Sequence, residues 1–269
     1  MKRVMLYFGS FNPIHRGHIA LAEYVIDAKL CDEVVIIVSP RNPLKEVKDL
    51  APEMDRFEMV ETATRASRYP DRIKPSVIEF LLERPSYTIN TLRHLSANYG
   101  EKSQFSILMG GDIIPQFNKW RNFEEILDSY PIYVYPRRGE RIELYLDKIN
   151  VMNSAPLQNY SSSDVRKALT DGEEVAQMLH PDVEKYIAQK HLWRPKGALA
   201  ELNAQIKSEP TIERYIERGK FHYRANDFGK ALNDFNRALA IDSTNSEATE
   251  FKCMIEEIFE FRHIDIYNP

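Results

Sequence analysis

Short apolar runs alternate with amphipathic stretches from Lys2 to about Pro195, and this alternation restricts the fold more than any other feature of the chain. Arg3 to Phe8 (RVMLYF) and Val34 to Ser39 (VVIIVS) are apolar almost throughout, as expected of strands covered on both faces. Ser106 to Met109 and Ile132 to Tyr135 read as two further strands. Between them, Ile19 to Ala28, Pro52 to Arg65 and Thr88 to Asn98 carry helical spacing. Strands alternating with helices predict an α/β fold, a doubly wound parallel sheet with helices on both faces. Ligands of such sheets bind beyond the C-terminal ends of the strands, so the residues that follow each strand are where chemistry is expected.

The alternation stops at Arg194-Pro195-Lys196-Gly197, which reads as a linker. This predicts two domains, residues 1–195 and 199–269, the second helical throughout. In the second, Gly219 and Phe221-His222-Tyr223 precede a turn at Asn226-Asp227-Phe228-Gly229, and Ala231, Phe235 and Ala238 follow. Small residues let paired helices approach, and the aromatic fills the gap between them. The spacing resembles one tetratricopeptide unit of about 34 residues, with Ser243 where proline is usual and His222 where tyrosine is usual. One such unit buries little by itself, so a protein partner or self-association through this domain is expected.

Composition sets the outer limits. Hydrophobic residues make up 43% and charged residues 28% of the 269, an ordinary globular balance. The net charge of −4 speaks against a dedicated nucleic-acid binder. No stretch approaches the ~20 apolar residues of a membrane span, and Val4 to Phe8 is too short for the core of an export signal. A cytoplasmic protein that binds neither nucleic acid nor membrane is the expectation. Cys31 and Cys253 suggest buried structural thiols rather than a disulfide framework or zinc site.

The first strand runs into Gly9-Ser10-Phe11-Asn12-Pro13-Ile14-His15-Arg16-Gly17-His18. Gly9 permits a tight turn beside a ligand. The free amides of the following helix suit an anion. His15 and His18, three apart, share one helical side, and Gly17 leaves room between them. Neither GxGxxG nor GxxxxGK[ST] occurs, so phosphate would be held by another device. Downstream, Tyr160-Ser161-Ser162-Ser163-Asp164-Val165-Arg166 leads into a helix. The serines read equally as caps, and Arg166 as a solvated charge.

The first of these segments resembles the HxGH signature of the nucleotidyltransferase superfamily, and the second resembles its ISSTxIR signature. Three further segments narrow the likeness to the bacterial nicotinate-mononucleotide adenylyltransferases. Pro85-Ser86-Tyr87-Thr88-Ile89-Asn90-Thr91-Leu92 is similar to their PSYTxxTL segment. Gly110-Gly111-Asp112 with Phe117 and Trp120 is similar to their GxDxxxxFxxW pattern. Pro40 to Lys45 is similar to their lysine-bearing loop. The likeness covers about residues 2–193.

That resemblance implies adenylyl transfer from ATP to nicotinate mononucleotide on a Rossmann-like fold. It implies His15, His18 and Arg166 as catalytic donors. Gly9, Ser10, Phe11, Gly110, Asp112, Ser161, Ser162 and Ser163 would join them around ATP. Lys45, Ser86, Tyr87, Thr88 and Trp120 would hold the mononucleotide. Mg2+ would be carried by the ATP phosphates. Ser86 is expected as the N-cap of its helix, with free amides beyond it for the ring carboxylate. Trp120 would stack on the cationic pyridinium or else simply pack, and Lys45 is otherwise a plain loop charge. Arg137-Arg138 is a further, weaker candidate. A nicotinamide-mononucleotide or pantetheine-phosphate enzyme, or a helical-repeat adaptor that has lost catalysis, are the alternatives.

Overall fold

Six strands form one sheet in the computed structural model, which describes residues 1–40, 50–137, 141–156, 159–194 and 197–267, with side chains through residue 259. The strands are β1 (Lys2–Gly9), β2 (Glu33–Val38), β3 (Ile73–Ser76), β4 (Ser103–Gly110), β5 (Ile132–Tyr135) and β6 (Ile149–Val151). Their order is β3-β2-β1-β4-β5-β6, and every neighbouring pair is parallel. The sheet is therefore doubly wound, as the alternation predicts. The winding direction reverses between β1 and β4, which opens a crevice above their C-terminal ends. Met5, Leu6, Ile36, Ile37 and Val38 are shut off from water, which explains why these runs are apolar on both faces.

Helices α1 (Arg16–Asp27), α2 (Glu53–Arg65), α3 (Ile78–Leu81), α4 (Thr88–Tyr99), α5 (Phe123–Ser129), α6 (Ser162–Asp171) and α7 (Pro181–Gln189) accompany the sheet, and a 3₁₀ stretch covers Gly111–Lys119. The helices expected at Ile19, Pro52 and Thr88 are present, the first starting a turn earlier. β3 and β6 were not anticipated. Both are edge strands of three or four residues, β3 contains Pro75, and short edges carry too little periodicity to read.

The chain divides into two compact units, Met1–Leu169 with Glu173–Gln189, and Thr170–Gly172 with Lys190–Pro269. In the second, α8 (Ala198–Ser208), α9 (Ile212–Arg224), α10 (Phe228–Ile241) and α11 (Ser246–Tyr267) follow one another. Thr211 caps α9 by accepting from the Arg214 amide, and Asp227 caps α10 by accepting from the Lys230 amide. Phe235 is fully buried between them. A Cβ on Gly219 would come within 2.8 Å of its ring, so glycine there lets the two helices close on the aromatic. Ala231 and Ala238 are likewise fully buried.

Cys31 is buried and its thiol is pushed up to about 12 by burial. Cys253 corrects the expectation of two buried thiols: it is exposed, because it lies on α11 off the stripe that buries Ile255. No described helix is long and apolar enough to cross a membrane.

Candidate active site

The segment after β1 turns sharply at Phe11, which has a φ of 45°. A bulky residue in this left-handed region is strained, and the surroundings hold it there. Its ring lies 3.0 Å from where a Cβ on Gly9 would stand, and it meets the His18 ring edge-on at 5.1 Å. The turn delivers His15 to the start of α1. His15 and His18 stack at 3.6 Å between ring centroids with 25° between their planes. The two histidines therefore do share one side, as their spacing requires.

Burial drives both imidazoles below their usual range. His15 falls to about 4, with the charge of Arg137 adding to the effect, and His18 falls well below 6.5, with His15 and Arg137 adding. Both rings are neutral near pH 7. The His15 amide donates to Nδ1 of His18 at 3.1 Å. The proton of a neutral His18 ring therefore sits on Nε2, leaving that atom as a donor. Nδ1 of His15 is buried with no hydrogen-bond partner among the described residues, an unusual condition that a ligand in the cleft would relieve.

The downstream signature meets the upstream one in space. Ser162 Oγ donates to the Pro13 carbonyl at 2.9 Å, and Arg166 Nη1 donates to the Asn12 carbonyl at 2.8 Å. These contacts join positions about 150 residues apart in sequence and seat the start of α6 over the His15 turn. Ser161 donates to Asp164 Oδ2 from both its amide and its hydroxyl, each at 2.7 Å. The Asp164 amide donates back to Ser161 Oγ at 3.4 Å, so Ser161 does cap, while Ser162 and Arg166 reach across. Tyr160 meets His15 edge-on at 5.3 Å.

β4 ends at Gly110 beside β1. A Cβ there would collide with the Asp112 carboxylate and crowd the Tyr135 ring. Asp112 pairs with Arg137 Nε at 3.2 Å. Beneath them the hydroxyls of Tyr7 and Tyr135 lie 3.1 Å apart, and burial raises both phenols, so both stay protonated. Tyr7, Tyr135 and Arg137 stand at the heads of β1 and β5. The rule that sites gather at strand ends marks their positions, but no motif singles out the tyrosines.

On the other wall, α4 begins at Thr88 with Tyr87 at its cap position and no side-chain cap bond. Ser86 is therefore not the N-cap; its hydroxyl instead donates to the Glu79 carbonyl at 3.4 Å, because the chain enters α4 one residue later than expected. The Arg121 guanidinium lies 4.9 Å from the Tyr87 ring centroid. Trp120 packs against Phe117 at 5.2 Å and is only partly buried, so it both packs and fronts the cleft. Glu79 is buried, its carboxyl raised by burial against hydrogen bonds from Ser39 and Thr91. Neither Glu79 nor Arg121 belongs to a readable motif.

One cleft of about 880 Å3 collects these groups. Gly9, Ser10, Phe11, His15, His18, Gly110, Asp112, Ser161, Ser162, Ser163 and Arg166 line it, as do Ser86, Tyr87, Thr88 and Trp120. Lys45 and Arg138 lie outside the described residues. The volume suits a ligand of drug size or larger.

Residues 6–168 match the family described as cytidylyltransferase-like, which is the class that the sheet order and the paired histidines define. The chain is 39% identical over 196 residues to a probable nicotinate-nucleotide adenylyltransferase of Flavobacterium johnsoniae, covering 71% of this chain and 99% of the relative. It is 40% identical over 186 residues to one of Bacteroides fragilis, covering 69% and 90%. Among solved structures it is similar to the nicotinic acid mononucleotide adenylyltransferase of Plasmodium falciparum complexed with NaAD. That likeness has a TM-score of 0.62 at 20% identity, over 72% of this chain and 98% of the other. The chain belongs to the nicotinate-nucleotide adenylyltransferase family over the part of its length that these relatives share.

Proposed function

We propose that the chain transfers AMP from ATP to nicotinate mononucleotide, giving the deamido dinucleotide and pyrophosphate. The observation that carries this reading is the junction of Ser162 and Arg166 with the Asn12-Pro13 carbonyls beside the stacked His15 and His18. It gathers neutral imidazole donors, a guanidinium and helix-start amides in one cleft of about 880 Å3. A phosphate oxygen of the mononucleotide attacks the α-phosphorus of ATP. The new P–O bond forms as the bond to the bridging α–β oxygen breaks, and pyrophosphate leaves with those electrons. The nucleophile is already anionic, so no general base is needed, and catalysis is positioning plus charge stabilisation.

His18, through Nε2, His15 and Arg166 serve as donors to the triphosphate, with Gly9, Ser10, Phe11 and Ser161 to Ser163 forming its cradle. Gly110 and Asp112 face the ATP ribose. Ser86, Tyr87, Thr88 and Trp120 receive the pyridine ring and its carboxylate, with Lys45 adding charge. Mg2+ carried on the ATP phosphates would neutralise part of their charge. The cleft carboxylates Glu79, Asp112 and Asp164 already have Thr91, Arg137 and Ser161 as partners, which suits an ion that keeps its waters and takes few protein ligands. Residues 1–195 form the catalytic domain of a cytoplasmic enzyme. Residues 199–269 form a tetratricopeptide-like accessory that meets a protein partner or a second copy. A coupled assay offering ATP with either nicotinate or nicotinamide mononucleotide tests the reading. Dinucleotide from the acid form is expected, and no turnover with either mononucleotide would refute it.

A further inference from the structure

Among the described residues Arg56 is the largest side chain that is completely buried. Burying a guanidinium is costly unless its donors are met. Its partners among the described residues are four main-chain oxygens. Nε donates to the Ala51 carbonyl at 3.0 Å, and Nη1 donates to those of Ser10 and Ser39, each at 2.7 Å. Nη2 donates to that of Pro40 at 2.7 Å. These oxygens belong to three separate places: the turn after β1, the end of β2, and the chain just before α2. Ala51 is tied a second time, its amide donating to Asn12 Oδ1 at 2.9 Å. One planar cation thus fixes the spacing between the turn that carries His15 and the end of the neighbouring strand.

The same strand end is gripped from the opposite side. Glu79 of α3 accepts from the Ser39 hydroxyl and from Thr91 Oγ1 of α4, the latter at 3.1 Å, and α4 begins at the Tyr87-Thr88 wall. A continuous path of hydrogen bonds therefore runs from the Ser10 carbonyl through Arg56, Ser39 and Glu79 to Thr91, buried at Arg56, Glu79 and Thr91 and partly buried at the two serines. It links the wall given to ATP with the wall given to the mononucleotide, and no atom of Arg56 needs to touch either.

We infer that Arg56 is a positioning residue for adenylyl transfer, holding the β2 end at Ser39-Pro40 so that the two substrate walls keep the separation that in-line attack requires. The inference rests on the functional reading above. A lysine cannot replace Arg56, since one ammonium presents three donors at a single point and does not span four oxygens spread over three segments. Loss of register between bound reactants lowers the rate of the chemical step more than it weakens binding.

The test is steady-state kinetics of full-length Arg56→Lys and Ser39→Ala beside the wild type, with active sites titrated and thermal melts recorded. Arg56→Lys is expected to lose at least tenfold in kcat per active site while both KM values stay within threefold. Ser39→Ala, which removes the Glu79 link and leaves the Arg56 bonds, is expected to lose about threefold. A merely structural arginine lowers the melting temperature and the active fraction but leaves kcat per active site alone, and that result overturns the inference. If Arg56→Lys does not fold, Ser39→Ala decides: a normal kcat overturns the inference and a selective loss supports it. A wild-type chain that makes no dinucleotide overturns the functional reading together with the inference built on it, whereas a fast wild type beside an equally fast Arg56→Lys overturns the inference alone.

Discussion

The two units handle buried polarity in opposite ways. Nine buried polar residues are described in the sheet unit; five of them, Asn12, His15, Arg56, Glu79 and Thr91, gather around the ends of β1, β2 and β4, while Glu33, Thr64, Ser67 and Ser106 lie away from those ends. In the helical unit the one buried polar residue among those described is Asp234, and Arg218 grips it with both ends of its guanidinium, at 2.8 and 2.6 Å. The remaining interior there is small residues against aromatics, with Phe235 stacked on Phe251 at 5.0 Å. Buried polar groups are expensive unless satisfied, so their concentration marks where stability has been given up for another purpose. By that measure the chemistry belongs to the sheet unit, and the helical unit is built for cohesion.

The sharpest way to break this division is to damage cohesion and watch chemistry. Phe235→Ala empties a fully buried site and should cost about 3–5 kcal/mol in the helical unit. Calorimetry should show an earlier transition while kcat/KM at 25 °C stays within twofold. A parallel fall in turnover would make the helical unit part of the active site. The converse change is His18→Ala. Losing one well-placed donor is worth about 10²–10³ in rate, so turnover should fall at least tenfold with the melting profile of the helical unit unmoved. A folded variant with a normal rate would remove His18 from the phosphate site.

Ring selectivity sharpens the comparison inside the sheet unit. The start of α4 offers amides at Tyr87 and Thr88, which can donate to a carboxylate. The acid mononucleotide should be preferred about a hundredfold, or roughly 2.7 kcal/mol, measured as a ratio of kcat/KM. Equal efficiency with the amide form would mean this wall does not read the ring.

Acid should act on the sheet unit through its histidines. His15 titrates near 4 when folded against 6.5 when exposed. Between those values the unfolded chain takes up a proton that the folded chain refuses. Its contribution to stability is therefore complete above pH 6.5 and is lost as the pH falls toward 4, at up to about 1.4 kcal/mol per pH unit. His18 acts in the same direction. His15→Gln should flatten the decline of the melting temperature below pH 6.5; an unchanged slope would show that the ring is not held neutral.

What the sequence made legible follows the same divide. The His15 and Ser162 segments were readable because each packs several chemical groups into ten residues, and the structure brings them within hydrogen-bonding distance. Arg56 and Glu79 were not, because each is a single charge on an amphipathic helix whose partners are main-chain atoms or hydroxyls far away in sequence. Ser86 looked like a cap because serine before a helical pattern usually is one; the true entry point depends on the Glu79 carbonyl, which local pattern does not encode. Tyr7 and Tyr135 were legible as strand residues, but their hydroxyl pair appears only when β1 and β5 flank β4.

The smallest effect expected is that of removing the helical unit altogether. Every group assigned to ATP or the mononucleotide lies at or before Arg166, and the sheet unit closes at Gln189. The Flavobacterium relative is accounted for to 99% by 71% of this chain, so the remainder has no counterpart in it. Within the helical unit, Arg194 bonds His191 and Glu217 while Arg224 reaches the His191 carbonyl at 3.4 Å. A chain ending at Arg194 therefore loses the partners of its last few residues, and its terminus should fray. None of the groups assigned to either substrate lies in the lost segment, so kcat/KM should stay within about twofold. The loss should appear in melting temperature or in sedimentation, where a partner-binding accessory would be missed. If the shortened chain keeps its circular dichroism and melts cooperatively, yet binds neither ATP nor nicotinate mononucleotide, the helical unit supplies part of the site, and the separation of chemistry from cohesion fails.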